Sequence, residues 1–204
     1  GFITNKGMLS LLESVACLHS DTAGYGIMEI PKTRLSWIQL NWMVKILRRP
    51  IYCEELKIRT WAKVSSKFST LRDFEVLDKD NNQVCIATTR WTLINIDTQG
   101  LAKITDDIIE KYEPETLNIM PDYSFKKLVE PQSFLSEYVY TTQRRDIDVN
   151  NHMHNLNYLD LAYEALPEEV YKNSDFNNIE IMYKKTIRLG DTSKCLYSKN
   201  GHTH

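Results

Sequence analysis

The segment Met8-Leu9-Ser10-Leu11-Leu12-Glu13-Ser14-Val15-Ala16-Cys17-Leu18, taken with the runs that follow it, decides how this chain folds. Met8, Leu11, Leu12, Val15 and Leu18 recur at helical spacing, and Ser10, Glu13 and Ser14 fall largely between them. That spacing predicts one amphipathic helix of about four turns. Gly24 and Gly26 end it. The next stretch is rich in Thr, Val, Ile, Tyr and Trp in short alternating runs, at 34–47, 54–64, 68–77 and 84–96, which read as strands. Asp80-Asn81-Asn82 supplies a hairpin turn between the last two, so an antiparallel meander follows one helix.

Outward from there the pattern dissolves between 105 and 131 into acidic and Pro-bounded stretches that suit a short helix and a linker. A second unit opens with a strand at 136–145. A helix then presents Leu156, Leu159, Tyr163 and Leu166 and ends near Pro167; strands follow at 178–189 and from Ser193, separated by Gly190-Asp191. An offset of 147 superimposes Leu9 on Leu156, Leu11 on Tyr158 and Leu12 on Leu159. A helix that is apolar over a wide stripe needs a curved apolar sheet to cover it, so the expected class is α+β: an antiparallel sheet around its own helix, duplicated in tandem. The expected units are 1–115 and 134–204, joined by a linker at 116–133. By this template the first unit lacks the strand before its helix, and the second lacks its last strands.

The 204 residues are 42% hydrophobic and 25% charged, which describes a globular chain able to bury a sizeable core. No apolar run approaches the roughly 18 residues of a membrane-spanning helix. A formal charge of -2 gives no global case for nucleic acid, so charge has to be read locally. Cys17, Cys53, Cys85 and Cys195 are widely separated and form no CxxC pair, which fits a reducing cytosol better than a disulfide framework. The opening Gly1-Phe2-Ile3-Thr4 shows no secretory signal.

The chemistry concentrates in Arg144-Arg145-Asp146-Ile147-Asp148-Val149-Asn150-Asn151-His152-Met153-His154-Asn155. In an extended chain Asp146, Asp148, Asn150 and His152 share one side while Ile147 and Val149 anchor the other. Full extension would hold Asn150 and His152 roughly 7 Å apart, so the loop must curl if both are to meet one reacting atom. The helix expected from Asn155 would offer unpaired N–H groups to a developing oxyanion. A histidine can take a proton from water near neutral pH, with a neighbouring Asp orienting it, which points to hydrolysis. The same residues also suit a polar loop whose Asp and Asn satisfy turn amides and cap the helix. His152-Met153-His154 and His202-Thr203-His204 each match an H-x-H metal pair, which makes metal-dependent chemistry a rival reading. There is no G-x-S-x-G, P-loop or complete G-x-G-x-x-G.

The chain resembles the acyl-acyl carrier protein thioesterases along its whole length. The likeness is carried by Trp37, Thr60-Trp61, Arg72-Asp73-Phe74, Arg90-Trp91-Thr92-Leu93 with Asn95 and Asp97-Thr98, then Asp148-Val149-Asn150-Asn151-His152 and Tyr158. The resemblance implies a hotdog fold in each half, with catalysis in the second, where the Asp-x-Asn-x-His motif lands on Asp148, Asn150 and His152. It implies that His152 activates water, Asp148 supports the site and Asn150 positions the thioester or its oxyanion, releasing free fatty acid with no cofactor. The partner would be an acylated carrier protein, in a bacterial-type cytoplasm or, behind a removed transit peptide, a plastid. Duplication supplies in one chain the pair of units a single hotdog finds in a partner, and a further homodimer is left open.

Plant members read Tyr-Arg-Arg-Glu-Cys in the strand after the second helix, where this chain has Tyr183-Lys184-Lys185-Thr186-Ile187. An aliphatic side chain has no lone pair to attack a carbonyl, so a nucleophilic cysteine at that place is ruled out and water attack is favoured. The loss also lends weight to a non-catalytic acyl or carrier-binding module. Met8, Leu12, Trp37, Trp42 and Trp61 would line an acyl tunnel by the resemblance, with plain core packing as the alternative. The basic clusters Lys45, Arg48, Arg49 and Lys184, Lys185, Arg188 suit docking of an acidic carrier. Preferred acyl length is not written in the sequence.

Overall fold

The computed structural model describes residues 1–63 and 66–204; the end of the strand expected at 54–64 lies outside the described residues. The chain divides into one unit of residues 1–126 with 177–182 and another of 127–176 with 183–204.

Thr4 starts the first unit's helix α1 (Asn5–Thr22) by accepting the Gly7 N–H on its hydroxyl at 3.0 Å. Just past the helix, Gly24 takes the left-handed φ of 78° that favours glycine. The buried stripe is Asn5, Met8, Leu9, Leu12 and Ala16, whereas Leu11 and Leu18 are exposed. The helix is thus rotated from the expected face, toward Leu9 and Ala16 and away from Leu11 and Leu18, a choice made by the sheet that covers it. Complete burial of Met8, Leu9 and Leu12 contributes roughly 1.5–3 kcal/mol each.

After the short α2 (Ile30–Thr33) come β1 (Leu35–Ile46), β2 (Leu56–Ala62), β3 (Thr70–Asp78), β4 (Gln83–Asn95) and the two-residue β5 (Gly100–Leu101). The expected hairpin forms around Asp78, whose Oδ1 accepts from Asp80 N at 3.0 Å and Asn82 N at 2.9 Å, with Asn81 at φ 61°. Helix α3 (Asp106–Lys111) is the short helix expected beyond 105. The sheet runs β2-β3-β4-β1-β7, with β5 on β4 and every pair antiparallel. Its last member, β7 (Asn178–Met182), was expected to open a strand of the second unit reaching 189; it pairs instead with β1, Asn41 opposite Met182 through Lys45 opposite Asn178. The stretch to 126 also stays with the first unit, so its limits differ from the expected 1–115.

The second unit holds the two-stranded sheet of β6 (Ser136–Thr141) and β8 (Thr192–Tyr197), in register from Ser136 opposite Tyr197 to Thr141 opposite Thr192. Helix α4 (Asn157–Glu164) packs on both strands and is followed by α5 (Glu168–Asn173). Leu156, Leu161 and Ala165 are buried here, while Leu159, Tyr163 and Leu166 are half-buried. Gly190 turns the chain into β8 at φ 83°. All four cysteines are free, and no helix among the described residues is long and apolar enough to cross a membrane.

Candidate active site

The polar segment after β6 does not stay extended. A single 3-10 turn, Arg144–Asp146, follows the strand, and Asp146 closes it by accepting Gln143 N at 2.8 Å and the Tyr140 hydroxyl at 2.6 Å on Oδ2. Asp146 is therefore buried as a turn cap and does not share a face with the residues after it.

Asp148 then folds the loop onto itself. Its N–H donates to His152 O at 2.8 Å, its carbonyl accepts Asn151 N at 3.1 Å, and Asn151 takes the left-handed φ of 59° that the reversal needs. The carboxylate oxygen Oδ1 accepts Asn150 N at 2.8 Å and His152 N at 3.3 Å. The curl that the sequence required is built by Asp148 itself. It leaves the Asn150 side chain exposed and His152 half-buried. The imidazole of His152 makes no hydrogen bond among the described residues.

Behind the loop, Met153 N donates to Ile187 O at 2.8 Å and His154 N to Asp146 O at 2.8 Å. Two tyrosines fasten the same seam. The Tyr158 hydroxyl donates to Lys185 O and that of Tyr183 to Asn155 O, both at 3.2 Å, with the rings edge to face at 5.6 Å. Burial pushes the Tyr158 hydroxyl above its ordinary pKa, which keeps it a donor. The sequence names Tyr158 and Tyr183 but gives neither a role, because both follow the motif and only the fold brings their hydroxyls to the seam. Thr186 sits between the two anchored carbonyls and is exposed.

The amides that open α4 are not free for an oxyanion. Leu156 N donates to His154 Nδ1 at 3.3 Å, Asn157 N to His154 O at 2.9 Å, Tyr158 N to Asn155 O at 3.4 Å and Leu159 N to Leu156 O at 3.2 Å. A tight 3-10-like entry consumes them. His154 thus serves the helix start. At the terminus, the His204 ring meets the Tyr197 hydroxyl at 2.8 Å and stands edge-on to Phe176. Among the described residues no three His, Cys, Asp or Glu converge as metal ligands.

In the first unit Met8, Leu12 and Trp42 have no exposed surface, and Trp42 packs on Phe74 at 5.6 Å. Trp37 is half-buried and its indole donates to the Tyr112 hydroxyl at 2.7 Å. Trp61 stands opposite Asp73, next in sequence to Phe74, so it points to the other face of the sheet, where its indole donates to Leu117 O at 3.0 Å. The structure therefore does not bring Trp61 together with Trp42. Of the basic residues, Arg48 is paired with Glu54 and Asp78, Arg49 is held by Ile3 O and Asn5 Oδ1, and Lys184 is paired with Glu130 at 2.8 Å. Lys45, Lys185 and Arg188 have no ion pair among the described residues.

A helix laid on an antiparallel sheet in each unit, with an Asp-x-Asn-x-His loop at the foot of the second helix, defines a double-hotdog protein of the thioesterase class. Comparison with known proteins gives the family: residues 2–112 match the acyl-ACP thioesterase N-terminal domain and 129–204 its C-terminal domain, and the chain belongs to that family. It is 26% identical over 204 residues to the chloroplastic oleoyl-acyl carrier protein thioesterase 2 of Arabidopsis thaliana, covering 92% of this chain and 56% of that protein. A similar likeness, 26% over 211 residues, links it to the Coriandrum sativum oleoyl-acyl carrier protein thioesterase, of which it spans 57%. The chain thus spans little more than half the length of these relatives. Its fold is shared with the 12:0-ACP thioesterase of Umbellularia californica at a TM-score of 0.84 and 20% identity, covering 99% of this chain and 82% of that one. It is shared also with an acyl-ACP thioesterase of Bacteroides thetaiotaomicron at 0.82 and 22%, covering 94% and 77%.

Proposed function

We propose that the protein hydrolyses the thioester joining a fatty acyl group to an acyl carrier protein, with water as the nucleophile and His152 as its general base. The observation that carries this reading is the closed loop 148–152, in which Asp148 spends its carboxylate on two backbone amides and leaves the His152 imidazole unengaged. In the proposed reaction His152 takes a proton from water and the hydroxide adds to the thioester carbonyl. The exposed Asn150 amide donates to the oxyanion, since the helix amides are committed elsewhere. Collapse expels the carrier thiolate, which is protonated by the imidazolium, leaving free fatty acid. Asp148 acts by holding the loop. Ile187 has no nucleophilic atom, and its part is the carbonyl that anchors Met153.

An apolar chain needs an apolar slot, and we assign it to the α1-facing side of the first unit, along Met8, Leu12, Trp37 and Trp42. The closed packing of Met8, Leu12 and Trp42 means that this slot opens only as substrate enters. Lys45, Lys185 and Arg188 are the cations of the two clusters left for an acidic carrier. The reading places the protein in fatty acid biosynthesis, in a bacterial-type cytoplasm or a plastid, and sedimentation of the 23.9 kDa chain tests whether it forms a further homodimer.

A panel of acyl carrier proteins with graded acyl chains tests the activity. Catalytic thiol release supports it, whereas tight retention of the carrier without thiol release supports a binding module, the reading that Thr186 and Ile187 favour.

A further inference from the structure

The turn that leads into the active loop also walls a hollow of about 580 Å³, lined by Tyr140, Thr142, Gln143, Arg144, Arg145 and Leu189. All six residues belong to the second unit. Its charge is unbalanced. Arg144 has no ion pair among the described residues, and Arg145 has only Asp146, with Nε 3.9 Å from Oδ1. That carboxylate is already committed through Oδ2 to Tyr140 and Gln143. Asp191, whose carbonyl accepts Thr142 N at 2.9 Å, has its carboxylate committed to Arg188 N at 2.8 Å.

Thr142, in the wall of the hollow, is 2% exposed, and its hydroxyl is buried with no hydrogen-bond partner among the described residues. The Gln143 carboxamide is committed, its Nε2 donating to Thr141 O at 2.7 Å. The two guanidiniums remain as a set of donors that suits a tetrahedral anion with several acceptor oxygens.

We infer that this hollow binds the phosphate of the phosphopantetheine arm on which a carrier presents its acyl thioester. The inference rests on the reading of the protein as an acyl-carrier thioesterase. The chain itself couples the two places: Asp146 ends the arginine turn, and its carbonyl accepts His154 N at 2.8 Å and Asn157 Nδ2 at 3.2 Å on the far side of the loop. An arm held by its phosphate beside Arg144 and Arg145 is thereby registered against the segment that carries Asn150 and His152.

The test compares an acyl-phosphopantetheine with the acyl-pantetheine of equal chain length that lacks the phosphate, using the full chain. Charge-assisted contacts of this kind should favour the phosphate-bearing substrate roughly tenfold in kcat/KM, expressed in KM. In R144Q/R145Q that ratio should fall toward one, and in R144Q, which removes no contact seen in the structure, it should fall partway. A wild-type ratio near one, or a ratio unaltered in R144Q/R145Q, overturns the inference. Calorimetric titration with phosphopantetheine needs no turnover: binding that R144Q/R145Q loses supports the site, and no binding to the wild type refutes it. Inorganic phosphate that binds as tightly as the arm also refutes its assignment to the arm. Failure to hydrolyse either substrate would sink the thioesterase reading alone, because the titration still decides this one.

Discussion

Replacing Asp148 separates two roles that a carboxylate beside the proposed general base His152 can play. In the structure Oδ1 accepts Asn150 N at 2.8 Å and His152 N at 3.3 Å, so the carboxylate shapes the loop. Hydrogen bonds to a charged acceptor are worth about 1.5–3 kcal/mol each, and the longer second bond at a half-buried position brings the pair to roughly 2–3 kcal/mol. If all of that maintains the reactive geometry, D148A lowers kcat/KM by roughly 30- to 150-fold. D148N keeps a neutral acceptor of the same shape at about half the strength, which predicts a loss of only about 5- to 12-fold. A carboxylate that carried protons would behave otherwise, since asparagine cannot ionise and both variants would fall together by about 100-fold or more. The assay is steady-state thiol release from one acyl carrier substrate, with the thiol trapped by a chromogenic reagent. D148N as impaired as D148A would refute the clamp.

Other outcomes follow from the same structure. Thr186→Glu restores a carboxylate between the two anchored carbonyls at an exposed position, and should raise kcat several-fold without altering thermal stability, measured by the same thiol assay and by calorimetry. Phe74, fully buried against Trp42, should cost about 3–5 kcal/mol on replacement by alanine, read from denaturant unfolding. Burial, and then the Arg72 guanidinium whose NH1 lies 2.7 Å from Nδ1, lower the pKa of His19 from 6.5 to about 4. Between those values the unfolded chain is protonated at His19 and the folded chain is not. Stability should therefore fall as pH drops from 6.5 toward 4, by on the order of 1–2 kcal/mol after solvent screening, and H19Q should flatten that part of the profile.

Periodicity was enough to expose the helix, the four-stranded meander and the second helix, because their apolar spacing is dictated by burial against one core. It could not show which way α1 faces, since Leu9 and Leu11 are equally apolar and only the covering sheet chooses between them. Nor could it show that β7 leaves the second unit's sequence neighbourhood to pair with β1: strand pairing depends on backbone hydrogen bonds that any sequence can make. Asp148, Asn150 and His152 were legible as a motif. The alternation of Asp146 with them was misleading, because a 3-10 turn and the left-handed Asn151 break the extended chain on either side of Asp148. Asp148 does satisfy turn amides, and the proposal that it holds the site rests on that same arrangement. Local charge was the least legible feature: Arg48 and Arg49 look like docking cations in the sequence, yet partners distant in sequence occupy both, while Arg144 and Arg145, closest to the motif, stand over a hollow.

The most direct measurement of the central claim is the rate of fatty acid release from an acyl carrier protein by the wild type and by His152→Ala, at equal folded concentration. A general base of this kind contributes about 100- to 10,000-fold, so release should fall by at least about 100-fold while the carrier still binds. Unchanged release by His152→Ala would contradict the account.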